Sequence, residues 1–271
     1  MSFRSVIKSS LPYYLLETVR AQKQLAPVYK GAFLAGWAAA FSPGKHSALE
    51  RSRFGLLPPS LRRVMDLVLD VGANEGQWIT GLLNLIPVRQ AIVIEPNPAA
   101  MLCCQQRLQG RQGITFKEVA VGAKRGSAVL HVTKASDFSS LLNPDHSIIN
   151  ANYVGNSSAV VAERTVEVFP LDDLLPADEN VDLLKIDVQG FEREVLAGAA
   201  SVLQRTRVVL VESNFQPHYR QSSTFDSLFQ LFTRELGFSF WNVSDPYRGM
   251  MGQALWADSV FINPALVSQK G

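Results

Sequence analysis

Residues 67–78 read LVLDVGANEGQW, and the reading of this stretch decides the fold. LVLDV (67–71) is a short run of Val and Leu with a carboxylate, Asp70, last but one, the pattern of a strand buried on both faces. Gly72 and Gly76, four apart, then mark a turn where the backbone bends sharply and a ligand can approach closely. From Glu75 to Leu85 the pattern is helical and is stopped by Pro87. Strand, glycine turn and helix in that order open a parallel sheet whose ligands bind beyond the carboxyl ends of its strands.

The pattern repeats outward. AIVIE (91–95) is a second strand, and Pro98–Leu108 is a helix with proline at its first position, where a missing N–H costs little. ITFKEVAV (114–121) reads as the third strand, with SAVLHVT (127–133) as its antiparallel neighbour across the turn Lys124-Arg125-Gly126. Residues 134–163, rich in Ser, Asn and Asp, read as one long functional loop. RTVEVF (164–169), VDLLKIDV (181–188), a helix from Glu192 to about Leu203 and RVVLVES (207–213) follow. A helix Phe225–Leu236 and closing strands near 238–243 and 256–262 complete the chain, which has no internal repeats. The expectation is an α/β protein, Rossmann-like, with a mostly parallel sheet covered by helices on both faces.

The chain has 271 residues, 47% hydrophobic and 18% charged, so wholesale disorder is excluded. Its net charge of +2 conceals a division. Residues 1–63 hold ten Lys/Arg against two Asp/Glu, a balance of +8, and residues 64–271 hold sixteen against twenty-two, a balance of −6. We expect a basic N-terminal helical extension over 1–62 and a catalytic domain over 63–271. The longest apolar run, GAFLAGWAAAF (31–41), is too short to cross a membrane. The extension either packs on the body or lays a basic face (Arg4, Lys8, Arg20, Lys23, Lys30) on anionic lipid, a peripheral membrane contact of an otherwise cytoplasmic protein. Cys103 and Cys104, both within the second helix, read as small buried side chains and cannot build a disulfide framework or a zinc site.

Asp70 precedes the glycine turn, and Glu95 ends the second strand twenty-five residues later, where a carboxylate can accept both ribose hydroxyls of an adenosine. A dinucleotide site wants a third glycine and a helix N-terminus open to pyrophosphate; here Asn74 and Glu75 stand there instead. The acidic series Asp70, Glu75, Glu95 suits the sulfonium and ammonium of S-adenosylmethionine, although Glu75 would equally complement its helix dipole. Lys185 and Asp187 are charged residues on one face of an apolar strand, which requires that each be partnered or serve a site.

DVGANEGQW, IEPNP, VAVGAKRGSAVLHV, SSLL (139–142), VEVFPLDDLL and LLKIDVQGFEREVLAGA, in this order, resemble the FkbM family of S-adenosylmethionine-dependent methyltransferases, over about residues 67–213. The resemblance implies a class I methyltransferase with a seven-stranded sheet and a reversed last strand, methylating hydroxyls of sugars, polyketides or related small acceptors and releasing S-adenosyl-L-homocysteine. By match, Asp70, Gly72, Ala73, Asn74 and Gly76 would line the methionine part, Glu95 and Pro96 the ribose, and Val119 and Ala120 the adenine. Ser139 and Ser140 would touch cofactor or acceptor, with Gln189 and Glu212 on the acceptor side. Relatives commonly carry D-x-E-G where this chain has Asp187-Val188-Gln189-Gly190, so Gln189 keeps hydrogen bonds at that position and gives up a negative charge.

A hydroxyl acceptor must lose a proton. Asp187, His218 and Glu212 are the candidate bases, His218 favoured by intrinsic pKa and Asp187 by expected position, with Lys185 beside them. Asp187, Glu212 and Asn214 could offer oxygens to a divalent metal, a point left open. The competing readings are a nucleic-acid methyltransferase using the basic arm, an inactive cofactor-binding scaffold suggested by Gln189, and an NAD-dependent oxidoreductase disfavoured by the missing glycine.

Overall fold

The computed structural model describes residues 54–62, 64–152 and 158–267, which lie in a compact unit that begins at Glu50. The expected helices of the basic extension and its membrane contact fall outside the described residues. Within this unit Phe54, Leu57 and Leu61 are already buried in the core of the body.

Strand β1 (Met65–Val71) lies at the centre of the main sheet. Helix α1 (Gln77–Leu85) leads to β2 (Val88–Ile94), and α2 (Pro98–Arg107), with Asn97 capping the Ala99 N–H, leads to β3 (Ile114–Lys117). A short β4 (Ala120–Val121) and β5 (Gly126–Thr133) precede α3 (His146–Asn152) and β6 (Val160–Phe169). Then come β7 (Val181–Ile186), α4 (Glu192–Ala197), α5 (Ala200–Gln204) and β8 (Thr206–Asn214). The chain ends with α6 (Phe225–Gln230), β9 (Ser239–Val243), β10 (Tyr247–Arg248), β11 (Ala254–Ile262) and α7 (Pro264–Val267).

The main sheet runs β10-β11-β8-β7-β1-β2-β3, with β9 also on β11. Strands β3, β2, β1, β7 and β8 are parallel, and β11 enters antiparallel between β8 and the outer pair β9/β10. Taking β9 and β10 as one broken edge strand, this is the expected mostly parallel sheet with one reversed strand. The β7 and β8 residues are buried throughout, which is why those segments read as continuous apolar runs. One face packs Leu69, Val71, Ile186, Val209 and Phe261 under α4–α6; the other packs Val68, Leu183, Val208 and Val260 under α1 and residues 54–61.

Five local expectations are corrected. The third strand stops at Lys117, and Ala120–Val121 instead pairs with β6. β5 likewise pairs with β6 rather than β3, so β4, β6 and β5 form a separate small sheet. The long loop 134–163 contains α3, whose first turn is held by Asp145 accepting from the Ser147 N–H and hydroxyl, and the start of β6. The helix expected over 192–203 ends at Gly198 and restarts at Ala200, where Asp172 caps the Ser201 and Val202 N–H groups. Cys104 is buried as expected, but Cys103 is exposed.

Candidate active site

Close approach of β1 and β7 explains the glycine turn. Gly72 has φ +75°, and a Cβ there would lie 1.8 Å from the Asp187 carbonyl oxygen, so no other residue fits. Gly76 (φ +78°) is excluded from bearing a side chain by Cys104, whose Sγ would be 2.5 Å from its Cβ. Between them Asn74 takes φ +49°, a conformation Asn tolerates better than most residues. Its N–H donates to Glu95 Oε2 (2.9 Å) and its amide to Asp137 Oδ1 (2.5 Å), which draws residues 136–138 over the turn.

Glu95 follows β2 directly, and its Oε1 accepts from the Asn97 N–H at 2.8 Å. It is 8% exposed, and burial pushes its pKa up to about 7 despite these two donors. Each oxygen keeps a second lone pair for a ligand hydroxyl. Ala73 is buried beside the turn and Pro96 is half-buried after Glu95. Glu75 turns outward to Arg107 at 3.6 Å. Val119 and Ala120 do not end the third strand: Val119 sits half-buried where the chain leaves the main sheet, and Ala120 is buried in the small one.

Asp70 and Lys185 are register partners across β1 and β7 and face the same side. Lys185 Nζ lies 3.0 Å from Asp70 Oδ1 and 3.5 Å from Asp187 Oδ2, and it donates to the Gly72 carbonyl at 2.7 Å. Burial raises the Asp70 pKa even against this ammonium, and Asp70 Oδ2 has no hydrogen-bond partner. Desolvation works against the Lys185 charge, but Asp70 and Asp187 outweigh it and its pKa rises. Lys185 is therefore a fixed cation that ties the ends of two strands together.

Gln189, at φ +55°, is the hub of a hydrogen-bonded group beyond the end of β7. Its Nε2 donates to Asp187 Oδ1 (2.9 Å) and Glu212 Oε1 (3.2 Å), and its Oε1 accepts from the Tyr219 hydroxyl (3.1 Å). Its carbonyl accepts from the Ser140 hydroxyl at 2.8 Å. Ser140 is buried and also accepts from the Leu142 N–H, while Ser139 Oγ accepts from the Thr133 N–H. Ser140 thus ties the loop to the chain that leaves β7, and Ser139 closes the loop on Thr133 at the end of β5. The Asp187 side chain is 33% exposed and is the open carboxylate of the group.

His218 loses the advantage its ordinary pKa gave it. It is buried, its Nδ1 pairs with Asn214 Oδ1 at 2.8 Å, and desolvation lowers its pKa to about 4, so it is neutral under ordinary conditions. Glu212 is pushed well above the usual carboxylate range by burial and by the neighbouring Asp187, Glu192 and Asp258 charges. Among the described residues no group of three His, Cys, Asp or Glu side chains is arranged to hold a metal ion. Tyr219, Asp137 and Glu192 were not foreseen. Glu192 Oε1 accepts from the Gly190 N–H at 2.9 Å, and burial raises its pKa to about 7. The signal for Tyr219 was its place beside His218 in the segment following β8.

A parallel sheet with one reversed strand, a glycine turn after β1 and carboxylates at the ends of β2 and β7 define a class I methyltransferase fold. The methyltransferase FkbM domain model matches residues 70–240, and the chain belongs to that family. The 2-O-methyltransferase NoeI of Sinorhizobium fredii (strain NBRC 101917 / NGR234) is 28% identical over 198 residues, 70% of this chain and 78% of that protein. The crystal structure of methyltransferase FkbM from Methylobacillus flagellatus KT has a TM-score of 0.49 at 15% identity over 76% of this chain. This chain spans only 46% of that one. The N-methyltransferase NodS from Bradyrhizobium japonicum WM9 has a TM-score of 0.47 at 11% identity, covering 81% of this chain and 99% of that one. Among the described residues no helix is long and apolar enough to cross a membrane.

Proposed function

We propose that the protein transfers a methyl group from S-adenosylmethionine to a hydroxyl oxygen of a sugar, a glycan or a related small hydroxylated metabolite. The observation that carries this reading is the half-buried Asp187 carboxylate, held by the Gln189 amide and set beside Lys185 at the end of β7, next to the glycine turn. The 2-O-methyltransferase likeness supports an oxygen acceptor.

The chemistry of the donor set fits a cationic adenosyl ligand. Asp70 Oδ2 is buried without a hydrogen-bond partner, Glu95 keeps lone pairs directed by its two backbone donors, and Asn74 stands where a pyrophosphate site needs glycine. Asp70, Gly72, Ala73, Asn74 and Gly76 would hold the methionine part, Glu95 and Pro96 the ribose, and Val119 with Ala120 the adenine side. When bound, the cofactor supplies a methyl carbon already activated by its sulfonium.

The chain's own residues do the rest. Asp187 receives the acceptor's hydroxyl proton, a contribution of about 10²–10⁴-fold. Gln189 fixes one Asp187 oxygen, and Lys185 stabilises the carboxylate before the proton arrives. The loop anchored by Ser139 and Ser140 bounds the acceptor side and positions the hydroxyl, a further entropic advantage.

Incubation with methyl-deuterated S-adenosylmethionine and a panel of hydroxylated acceptors tests the reading. The expected product carries a deuterated methoxy group, and Asp187→Asn lowers kcat by about 10²–10⁴-fold. A methyl group delivered to nitrogen or carbon would contradict O-methyl transfer.

A further inference from the structure

The hydrogen-bonded group around Gln189 holds a hydroxyl that the transfer step does not use. Tyr219 is 2% exposed, and its ring closes on Gly190, where a Cβ would lie 3.3 Å from Tyr219 Cδ2. Main-chain bonds fix the same segment: the Asp145 N–H donates to the His218 carbonyl at 2.9 Å, and the Arg220 N–H to the Asn143 carbonyl at 3.2 Å. Packing and backbone thus place Tyr219 without help from its hydroxyl. That hydroxyl stands between two acceptors, the Phe138 carbonyl at 2.9 Å and Gln189 Oε1 at 3.1 Å, with one proton to offer them.

The use of that proton depends on which way the Gln189 amide faces, since an amide has one accepting end and one donating end. An ionised Asp187 only accepts, so Nε2 must face its Oδ1, and Oε1 must face Tyr219. Glu212 does not impose this orientation. Its pKa is raised well above the usual carboxylate range, and a protonated Glu212 donates to Oε1 as readily as an ionised one accepts from Nε2. In the reversed amide Nε2 would donate to the Tyr219 oxygen, the Tyr219 proton would pass wholly to the Phe138 carbonyl, and Oε1 would confront Asp187. That arrangement suits only an Asp187 that already holds a proton, which is no longer a base. By donating to Oε1, Tyr219 satisfies the acceptor that the working orientation turns away from the carboxylates.

We propose that the Tyr219 hydroxyl is a positioning group for methyl transfer, which holds the Gln189 amide with Nε2 toward the ionised Asp187. It rests on the reading of Asp187 as the base and deepens it. Tyr219 acts through Gln189, and its removal lets the amide turn and present an oxygen to Asp187.

The test uses the full chain labelled with nitrogen-15 and the variant Tyr219→Phe, which keeps the ring on Gly190 and removes only the oxygen. The Gln189 side-chain amide signal is identified by its absence from Gln189→Met. In the wild type it should lie apart from unbonded glutamine amides and exchange slowly with water; in Tyr219→Phe it should move toward them or broaden. In the same variant, kcat for transfer from S-adenosylmethionine to the methyl glycosides of glucose, N-acetylglucosamine, mannose and rhamnose should fall about five- to tenfold, the equivalent of one hydrogen bond, with KM unchanged. Adding Tyr219→Phe to Gln189→Met should cost no further rate. An unmoved amide signal, a raised KM at unchanged kcat, or a full further loss in the double variant would overturn the proposal while Asp187 as base stands. A wild-type rate in Asp187→Asn would overturn the base reading and this role with it. The amide signal needs no acceptor, so it decides the orientation even where no sugar of the panel is methylated.

Discussion

The two ends of the main sheet handle buried charge in opposite ways. At the amino end Asp182 accepts from Arg207 at 2.9 Å and from the Asp66 N–H at 2.5 Å, and Asp66 itself faces Arg89 at 2.8 Å. At the carboxyl end, among the described residues, Asp70 and Asp187 share the Lys185 ammonium, and Glu95, Glu192 and Glu212 crowd the same region with raised pKa values. The first arrangement neutralises itself and holds strands together. The second keeps an excess of carboxylate in a desolvated place, which costs stability and becomes useful only when a cation or a hydroxyl proton arrives.

The largest expected effect comes from removing the Lys185 ammonium. Lys185→Met strands Asp70 without a counter-charge and should lose about 3–5 kcal/mol in urea unfolding. Replacing both partners at the amino end, Arg207→Met with Asp182→Leu, should stay within about 1–2 kcal/mol, since a buried pair exchanged for apolar residues is often near neutral and one Asp66 N–H loses its acceptor. Equal losses at the two ends would break the comparison.

Glu192 gives a pH-dependent effect. Its folded pKa of about 7 lies above the ordinary 4.5, so the folded state binds the proton more tightly. Its ionisation therefore destabilises the fold increasingly as pH rises from 4.5 through about 7, and the cost is full above that. Glu192→Gln, which keeps the oxygen that accepts from Gly190, should gain about 1–3 kcal/mol near pH 8 and almost nothing near pH 4.5. A gain independent of pH would show that packing, not charge, is relieved.

The smallest of the three concerns Gln189. Gln189→Glu sets another carboxylate against Asp187 and Glu212, and like charges hold protons. The acid limb of the pH–rate profile should move up by about one unit. An unmoved profile with a lower rate would mean that Gln189 only supports the loop.

What could be read from the sequence was what strand periodicity and glycine spacing fix. Asp70, Gly72, Glu95, Lys185 and Asp187 sit at strand ends, and alternation alone put Lys185 and Asp187 on one face. Pairing partners were not legible: the apolar pattern of 114–121 runs on past Lys117 without recording that the chain has changed sheets. The start of β6 was missed because Val160–Glu163 are exposed and carry no alternating burial. Tyr219 reaches the Phe138 carbonyl across 81 residues, a contact no local pattern encodes. His218 misled because an intrinsic pKa says nothing of burial.

The most direct test of the account is calorimetric titration of the full chain with S-adenosylhomocysteine at pH values on either side of 7. Ionised Glu95 accepts ribose hydroxyls, so binding should strengthen as pH rises through about 7. In Glu95→Gln it should be weaker and flat with pH. Absence of binding at every pH, or an affinity equal in the variant, would contradict the account.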